Sequence, residues 1–160
     1  GCERRALLLG DDRVRYSAFG GGGGGWKVAA APWEYLESNW PLRKATGDES
    51  GRYIAVAGRR GLCVFDVHAG KWRLFGDVTQ ESSFECLGLA WFGASVIAVT
   101  APPPSAEAEA DSGPWEVIVL PSDRLDLSVC RLRLRLPARP IAVDAAGDSL
   151  LVNELAEIEK

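Results

Sequence analysis

Few side chains in this sequence combine the type and the spacing that enzyme chemistry needs. The chain has one histidine, His68, which stands in the turn-like string VHAGK. Histidine is the usual general base near neutral pH, but a lone histidine in a turn is more often exposed to solvent. Ser82 and Ser83 have no base near them in the sequence and no nucleophile-elbow motif around them. We therefore predict no catalytic residue.

Two groups of aspartates offer another route to chemistry, because paired carboxylates can act as general acid and base. They are Asp11 with Asp12, and Asp123 with Asp126. Both groups fall in turn segments, where aspartate is favoured because its side chain bonds to the nearby backbone. We interpret them as turn residues, so a paired-carboxylate site has no support from the sequence.

The cysteines do not predict a metal site. Zinc sites usually draw their four ligands from closely spaced pairs, and the sequence has no CxxC pair. Two disulfides are possible, but nothing in the spacing requires them, and we expect reduced thiols, some of them buried in strands. We predict neither a metal nor a cofactor. The four cysteines are Cys2, Cys63, Cys86 and Cys130.

A run of six glycines, residues 20–25, raises the question of a phosphate-binding loop. Such a loop needs a GxxxxGK[ST] ending, or a GxGxxG string that opens a helix. Here the run is followed by Trp26, Lys27 and Val28, which read as a strand. Because six glycines have too much backbone freedom to hold a strand, we interpret the run as a flexible loop between strands.

The elements that would position any site are strands. Residues 52–58, 61–67 and 68–76 are rich in β-formers and are separated by the turn strings GRRG and HAG, which predicts an antiparallel meander. Only residues 154–160 have helical character. Further strands are predicted at 87–93, 95–101, 115–121 and 127–136, and a strand, turn and strand at 140–154.

The strands repeat along the chain. YIAVAG begins at Tyr53, VIAVTA at Val96 and SLLVNE at Ser149, and a Pro/Ala/Glu surface loop at 102–113 lengthens the last interval. A period of about 40–45 residues with four strands is typical of a β-propeller blade. We predict an all-β, WD-type propeller fragment of roughly three four-stranded blades. Its parts are a blade remnant at 1–33, blades at 41–76 and 87–136, and the start of another at 138–154.

Net charge and hydropathy limit the kinds of partner that the domain is expected to bind. The net charge is −4 and the pI is about 5.1, which argues against a nucleic-acid or anionic-membrane surface. No apolar run approaches the roughly 20 residues of a membrane span. The chain begins with Gly1 and contains no methionine, so we expect it to be an excerpt from a longer polypeptide.

The string YLESNWPLR, residues 35–43, lies between two predicted blades. Pro41 favours an extended backbone at Trp40 and stops any helix there. Tyr35 and Trp40 are large enough to fill the wedge between blades, with their polar atoms bonded. We expect Trp40, Trp72 and Trp91 to be largely buried, and no helix longer than three turns within residues 52–100.

Alternating arginines mark one strand as a candidate partner face. Arg131, Arg133 and Arg135 alternate with leucines, so a strand would place them on one face, with Leu132, Leu134 and Leu136 packed inward. The purely structural interpretation is that the arginines form a solvated strand face, or that they prevent edge-to-edge association of the sheet with another chain. The functional one is a surface that steers an acidic protein partner.

Four motifs in order resemble a known family. They are YLESNWP at 35–41, IAVAG at 54–58, KWRLFGDVTQE at 71–81 and GLAW at 88–91. Together they resemble the Ribosome control protein 1 family, the large subunit of the Ric–Rgp guanine-nucleotide exchange complex. The resemblance is dense from Tyr35 to about Thr100, and thin on either side.

The resemblance implies a specific function. It implies a propeller in a complex that activates a Golgi Rab GTPase in endosome-to-Golgi retrograde transport. The implied partners are an Rgp-type subunit and that GTPase, without nucleic acid, in the cytosol and peripherally on the Golgi membrane. Family proteins are several times longer and have a helical carboxy-terminal region absent here. Two alternatives are a generic WD-type interaction propeller with unrelated partners, and a propeller enzyme with a carboxylate or histidine cluster at its channel mouth.

Overall fold

Antiparallel sheets follow one another along the chain. The computed structural model describes residues 6–17, 25–103, 105, 113–146 and 149–154. These residues form sheets of three, four, four and two strands, and within each sheet the strands are hydrogen-bonded in chain order. The prediction of an all-β fold built from four-stranded antiparallel units is confirmed. No helix in the described part of the chain is long and apolar enough to cross a bilayer.

The strands are short, and two short helices connect the sheets. The first sheet holds β1 Ala6–Leu9, β2 Arg13–Ser17 and β3 Lys27–Ala30. The second holds β4 Lys44–Gly47, β5 Tyr53–Ala57, β6 Cys63–Asp66 and β7 Lys71–Arg73. The third holds β8 Glu85–Phe92, β9 Ser95–Ala101, β10 Trp115–Pro121 and β11 Leu132–Leu136. The fourth holds β12 Pro140–Ala146 and β13 Ser149–Glu154, while the connecting helices are α1 Trp33–Asn39 and α2 Val78–Glu81.

The repeated strings occupy equivalent places. YIAVAG provides β5, VIAVTA provides β9 and SLLVNE provides β13, and each is the second strand of its sheet. Glycine allows the tight turns between strands: Gly70, after β6, has φ 64°, a conformation that other residues rarely adopt. The glycine run at 20–25 and the helical residues predicted at 154–160 lie largely outside the described residues, as does most of the loop at 102–113.

One predicted strand is shorter than expected. The sequence predicted a strand over 127–136, but a 3-10 turn occupies Leu127–Val129 and the strand begins at Leu132. The Asp126 carboxylate accepts a hydrogen bond from the Ser128 N–H at 2.9 Å, which favours a turn over a strand at this point.

The second sheet is buried on both faces. In β5, Ile54 and Val56 pack toward the first sheet, together with Val14 and Ala29. The alternate residues of β5 pack toward the third sheet instead, because successive side chains of a strand point to opposite faces. This second core contains Ala55, Ala57 and Val64 from the second sheet, Leu62 from the turn before β6, and Val96, Ala98, Ile118 and Leu120 from the third sheet.

The expectation that the leucines of β11 pack inward is wrong for two of them. Leu132 is 39% exposed and Leu134 is 50% exposed, while Leu136 packs beside the cluster formed by Ala90, Ile97, Val99 and Val117. The reason is the position of β11, which is the outer edge strand of the third sheet. Strand β12 packs beside β8, at the opposite edge, and so leaves the outer leucines uncovered.

Candidate protein-interaction site

The string YLESNWP forms most of a helix and its end. Helix α1 begins after Pro32 and ends at Asn39, although the sequence did not predict a helix here. Trp40 has extended backbone angles, φ −66° and ψ 144°, as expected for a residue before proline. The peptide bond to Pro41 is cis. The string lies between β3, the last strand of the first sheet, and β4, the first strand of the second.

Tyr35 holds α1 against the turn between β5 and β6. Its side chain is fully buried. The hydroxyl donates to the Arg60 carbonyl oxygen at 2.7 Å and accepts from the Gly58 N–H at 2.8 Å. Burial raises the pKa of the Tyr35 hydroxyl well above its usual value. Because both of its hydrogen bonds reach backbone atoms, Tyr35 links the position of α1 to that of the turn.

Asn39 and Glu81 link the two connecting helices. The Asn39 Nδ2 donates to the Tyr35 carbonyl oxygen at 2.9 Å and to Glu81 Oε2 at 3.3 Å. Both side chains are buried, and Asn39 Oδ1 has no hydrogen-bond partner. Removal from water raises the pKa of Glu81, although the bond from Asn39 acts in the opposite direction. Helix α1, the β5–β6 turn and α2 thus form one continuous layer.

The buried carboxyl of Glu81 is expected to make stability depend on pH. Its ordinary pKa is 4.5, and the folded value is higher. As the pH rises from 4.5 through the folded pKa, the unfolded chain loses this proton first, so the free energy of unfolding decreases. Glu81→Gln is expected to remove that decrease, as measured by denaturant unfolding at several pH values.

A matched control is Glu34→Gln, which removes an exposed carboxyl from α1 and is expected to keep the wild-type pH dependence. If Glu81→Gln retains the same decrease as the control, the buried carboxyl is not its source.

The motif tryptophans do not share one environment. Trp91 is partly buried: its ring stacks on Tyr53 with centroids 5.7 Å apart, and its Nε1 donates to the Thr46 carbonyl oxygen at 2.9 Å. Trp72 is also partly buried and packs on Phe65, with centroids 5.0 Å apart. For Trp40 the expectation of burial is wrong, because this side chain is 55% exposed.

The exposure of Trp40 follows from the phase of α1. The helix turns Tyr35, Leu36 and Asn39 toward the core, so Tyr35 fills the space between the first two sheets. Trp33, which the sequence analysis did not single out, is 70% exposed on the other side. The signal that was missed is the seven-residue spacing of the two tryptophans, which places them on the same side of a helix.

The arginine face lies on the edge strand of the third sheet. Arg133 Nε donates to Glu116 Oε2 on the neighbouring strand β10 at 2.6 Å. Arg131, just before the strand, and Arg135, within it, are exposed. The three arginines are therefore accessible at one rim of the domain, with one of them partly neutralised by a carboxylate.

Among the residues that the structure describes, no three His, Cys, Asp or Glu side chains converge closely enough to hold a metal ion. Cys63, Cys86 and Cys130 are free thiols. Burial raises the pKa of Cys86 to about 12, and that of Cys63 is also raised well above its ordinary value. The thiols in the core are thus inert side chains that contribute packing.

Antiparallel four-stranded meanders that pack face to face define a β-propeller. Residues 3–155 match the family described as "RIC1 second beta propeller domain". This match covers nearly the whole chain, and the chain belongs to that family. The resemblance inferred from the four sequence motifs is confirmed.

Curated relatives share part of the domain. The chain is 44% identical over 68 residues to the guanine nucleotide exchange factor subunit RIC1 of Mus musculus, covering 42% of this chain and 5% of the mouse protein. The Homo sapiens protein of the same name is 43% identical over 68 residues, with the same coverage. Subunit R06F6.8 of Caenorhabditis elegans is 36% identical over 63 residues, 39% of this chain and 4% of that protein. The chain thus spans about 5% of the length of the first two relatives.

Proposed function

We propose that this domain is a non-catalytic propeller scaffold within a guanine-nucleotide exchange complex. The observation that carries the proposal is the family match over residues 3–155, together with relatives named as exchange factor subunits. An exchange factor acts by binding the nucleotide-free GTPase more tightly than the nucleotide-bound one, so the reaction needs no cofactor. In this proposal the propeller positions other parts of the complex.

The finer proposal concerns the target and the place of action. Following the resemblance of the four motifs, we propose a Golgi Rab GTPase as the target and an Rgp-type subunit as the partner. The complex would act in endosome-to-Golgi retrograde transport, in the cytosol and peripherally on the Golgi membrane. The face formed by Arg131, Arg133 and Arg135 is accessible on an otherwise acidic chain, which suits it to steer an acidic protein surface.

The test is nucleotide exchange by the full-length subunit. The subunit is purified with and without its co-expressed partner, and release of a fluorescent GDP analogue is followed for a panel of Rab GTPases. We expect release to accelerate only with the complex and only for a Golgi Rab. Absence of exchange on every GTPase would contradict the proposal and favour an interaction propeller with unrelated partners.

A second arm of the experiment tests the arginine face. Replacing Arg131, Arg133 and Arg135 with serine is expected to slow association of the subunits and to flatten its dependence on salt, because steering by charge is screened by ions. The control removes the same charge from exposed positions on the first two sheets. In this control variant, serine replaces Arg15, Lys27 and Lys71. Equal effects in both variants would assign the change to net charge alone.

A further inference from the structure

Helix α1 has two different faces. Its buried face consists of Tyr35, Leu36 and Asn39. Its exposed face carries Trp33 and Glu37, four residues apart and so neighbours on a helix surface, and the exposed Trp40 caps the helix three residues after Glu37. A solvated helix face is ordinarily polar throughout, so two exposed indoles, one at the start of α1 and one on the residue that directly follows it, need an explanation.

Packing against the neighbouring sheets does not explain why the two indoles are exposed. Helix α1 connects β3 of the first sheet to β4 of the second, and both sheets are in place beside it. With both neighbours present, Trp33 is still 70% exposed and Trp40 55% exposed. A group that covers them therefore has to approach over the layer formed by α1, the β5–β6 turn and α2.

The side chain between the two indoles is acidic. Glu37 is exposed and makes no ion pair among the described residues. Glu34, three residues earlier in α1, is a second exposed carboxylate next to it. Arg60 Nη2 donates to the Ser38 carbonyl oxygen of α1 at 3.4 Å, so this guanidinium is engaged with the backbone of the helix. In the described part of the chain, the cation recorded over an aromatic ring is Arg52 over Tyr53, away from these indoles.

The spacing of these side chains suits a cation. Trp33 precedes Glu37 by four residues and Trp40 follows it by three, so a positive group that pairs with Glu37 has an exposed indole within a few residues on either side, and a cation–π contact forms within about 6 Å of a ring centroid. Tryptophan is the best aromatic partner for a cation, and arginine adds planar stacking and a fork that fits a carboxylate. The three side chains together therefore favour an arginine or lysine over an apolar or acidic group.

We propose that Trp33, Glu37 and Trp40 form a docking surface for an arginine- or lysine-bearing segment of another subunit of the exchange complex. This inference rests on the proposed function for the identity of the partner. The residues themselves specify its chemistry, since the basic side chain pairs with Glu37 and the indoles flank it. The surface is separate from the arginine face on β11, which carries the opposite charge.

The test uses the full-length subunit with its co-expressed partner. The photo-crosslinking residue p-benzoylphenylalanine replaces Trp40, the purified complex is irradiated, and cross-linked peptides are identified by mass spectrometry. We expect a peptide from the other subunit with an arginine or lysine next to the cross-linked site. Glu37→Arg is expected to abolish the cross-link.

Affinity measurements provide the matched control. Trp33→Ala and Trp40→Ala are each expected to weaken subunit association at least about tenfold, as for an aromatic residue at the centre of an interface. Trp26→Ala removes an indole that is 50% exposed but lies outside α1, and is expected to change affinity less than about twofold. Because Trp33 and Trp40 are exposed, these variants are expected to keep the wild-type melting temperature.

The outcomes separate this inference from the proposed function. If the wild-type subunits do not associate, the proposed function fails and this inference fails with it. If they associate but position 40 cross-links only within its own chain, to a segment without arginine or lysine, or to nothing, the docking surface is wrong and the proposed function stands. Equal losses of affinity in Trp26→Ala and Trp40→Ala would also overturn the docking surface.

Discussion

Tyr35→Ala is expected to lower the free energy of unfolding by about 3–5 kcal/mol, the range for removing a fully buried aromatic side chain. The Tyr35 side chain has no exposed surface and belongs to the core between the first two sheets. The substitution leaves a cavity there and also removes both hydrogen bonds to the β5–β6 turn. The measurement is equilibrium unfolding in denaturant of a propeller with all of its blades.

Tyr35→Phe separates the hydroxyl from the ring. It leaves the buried Gly58 N–H without its partner, at an expected cost of about 1–3 kcal/mol. The control is Tyr53→Phe, because Tyr53 is partly buried and its hydroxyl makes no hydrogen bond among the described residues. If the two phenylalanine variants unfold alike, the hydroxyl of Tyr35 does not hold the turn.

Gly58→Ala is expected to have an effect of similar size for a different reason. A Cβ at position 58 would clash with the Asn39 carbonyl oxygen and lie 3.2 Å from that of Pro41. Both neighbours are backbone atoms, so relief requires α1 to move away from the turn. Overpacking usually costs about 1–3 kcal/mol, and we expect a loss of about 3 kcal/mol or more because no side chain can rotate aside.

The control for this substitution is Gly76→Ala, where an added Cβ would meet no heavy atom within 4 Å. It is expected to keep the stability or to raise it by about 0.4–1 kcal/mol, since alanine restricts the unfolded chain. Unfolding measurements on both variants decide the matter: a Gly58→Ala protein as stable as Gly76→Ala would show that α1 is not held tightly against the turn.

The strands could be predicted because their signals are local. Alternating β-formers and glycine turns fixed β5, β6, β9 and β10 within a few residues, and the likeness of YIAVAG to VIAVTA identified equivalent strands. Helix α1 could not be predicted in the same way. Its polar buried side chain, Asn39, has its carboxylate partner at Glu81, forty-two positions further along the chain.

In the candidate site, too, the sequence predicts local features, whereas burial depends on how distant elements pack. Alternation places Arg133 and Arg135 on one face of β11, whereas Arg131 lies just before the strand. Burial of the leucines depends on which sheet lies opposite, and that is a property of how the sheets pack. Size alone suggested that Trp40 is buried. Trp40 is instead exposed, because the rotation of α1 about its axis directs Tyr35 into the core and leaves Trp40 at the surface.

Because the second sheet is buried on both faces, splice variants or deletions that remove it alone are expected to be poorly tolerated. Alternate residues of β5 belong to different cores, so a transcript that skipped residues 44–73 would leave both the first and the third sheet with an uncovered apolar face. Such a product is expected to be recognised by chaperones and degraded rather than to persist as a smaller propeller. Splice variants and deletions that respect this domain should therefore retain or remove it as a whole.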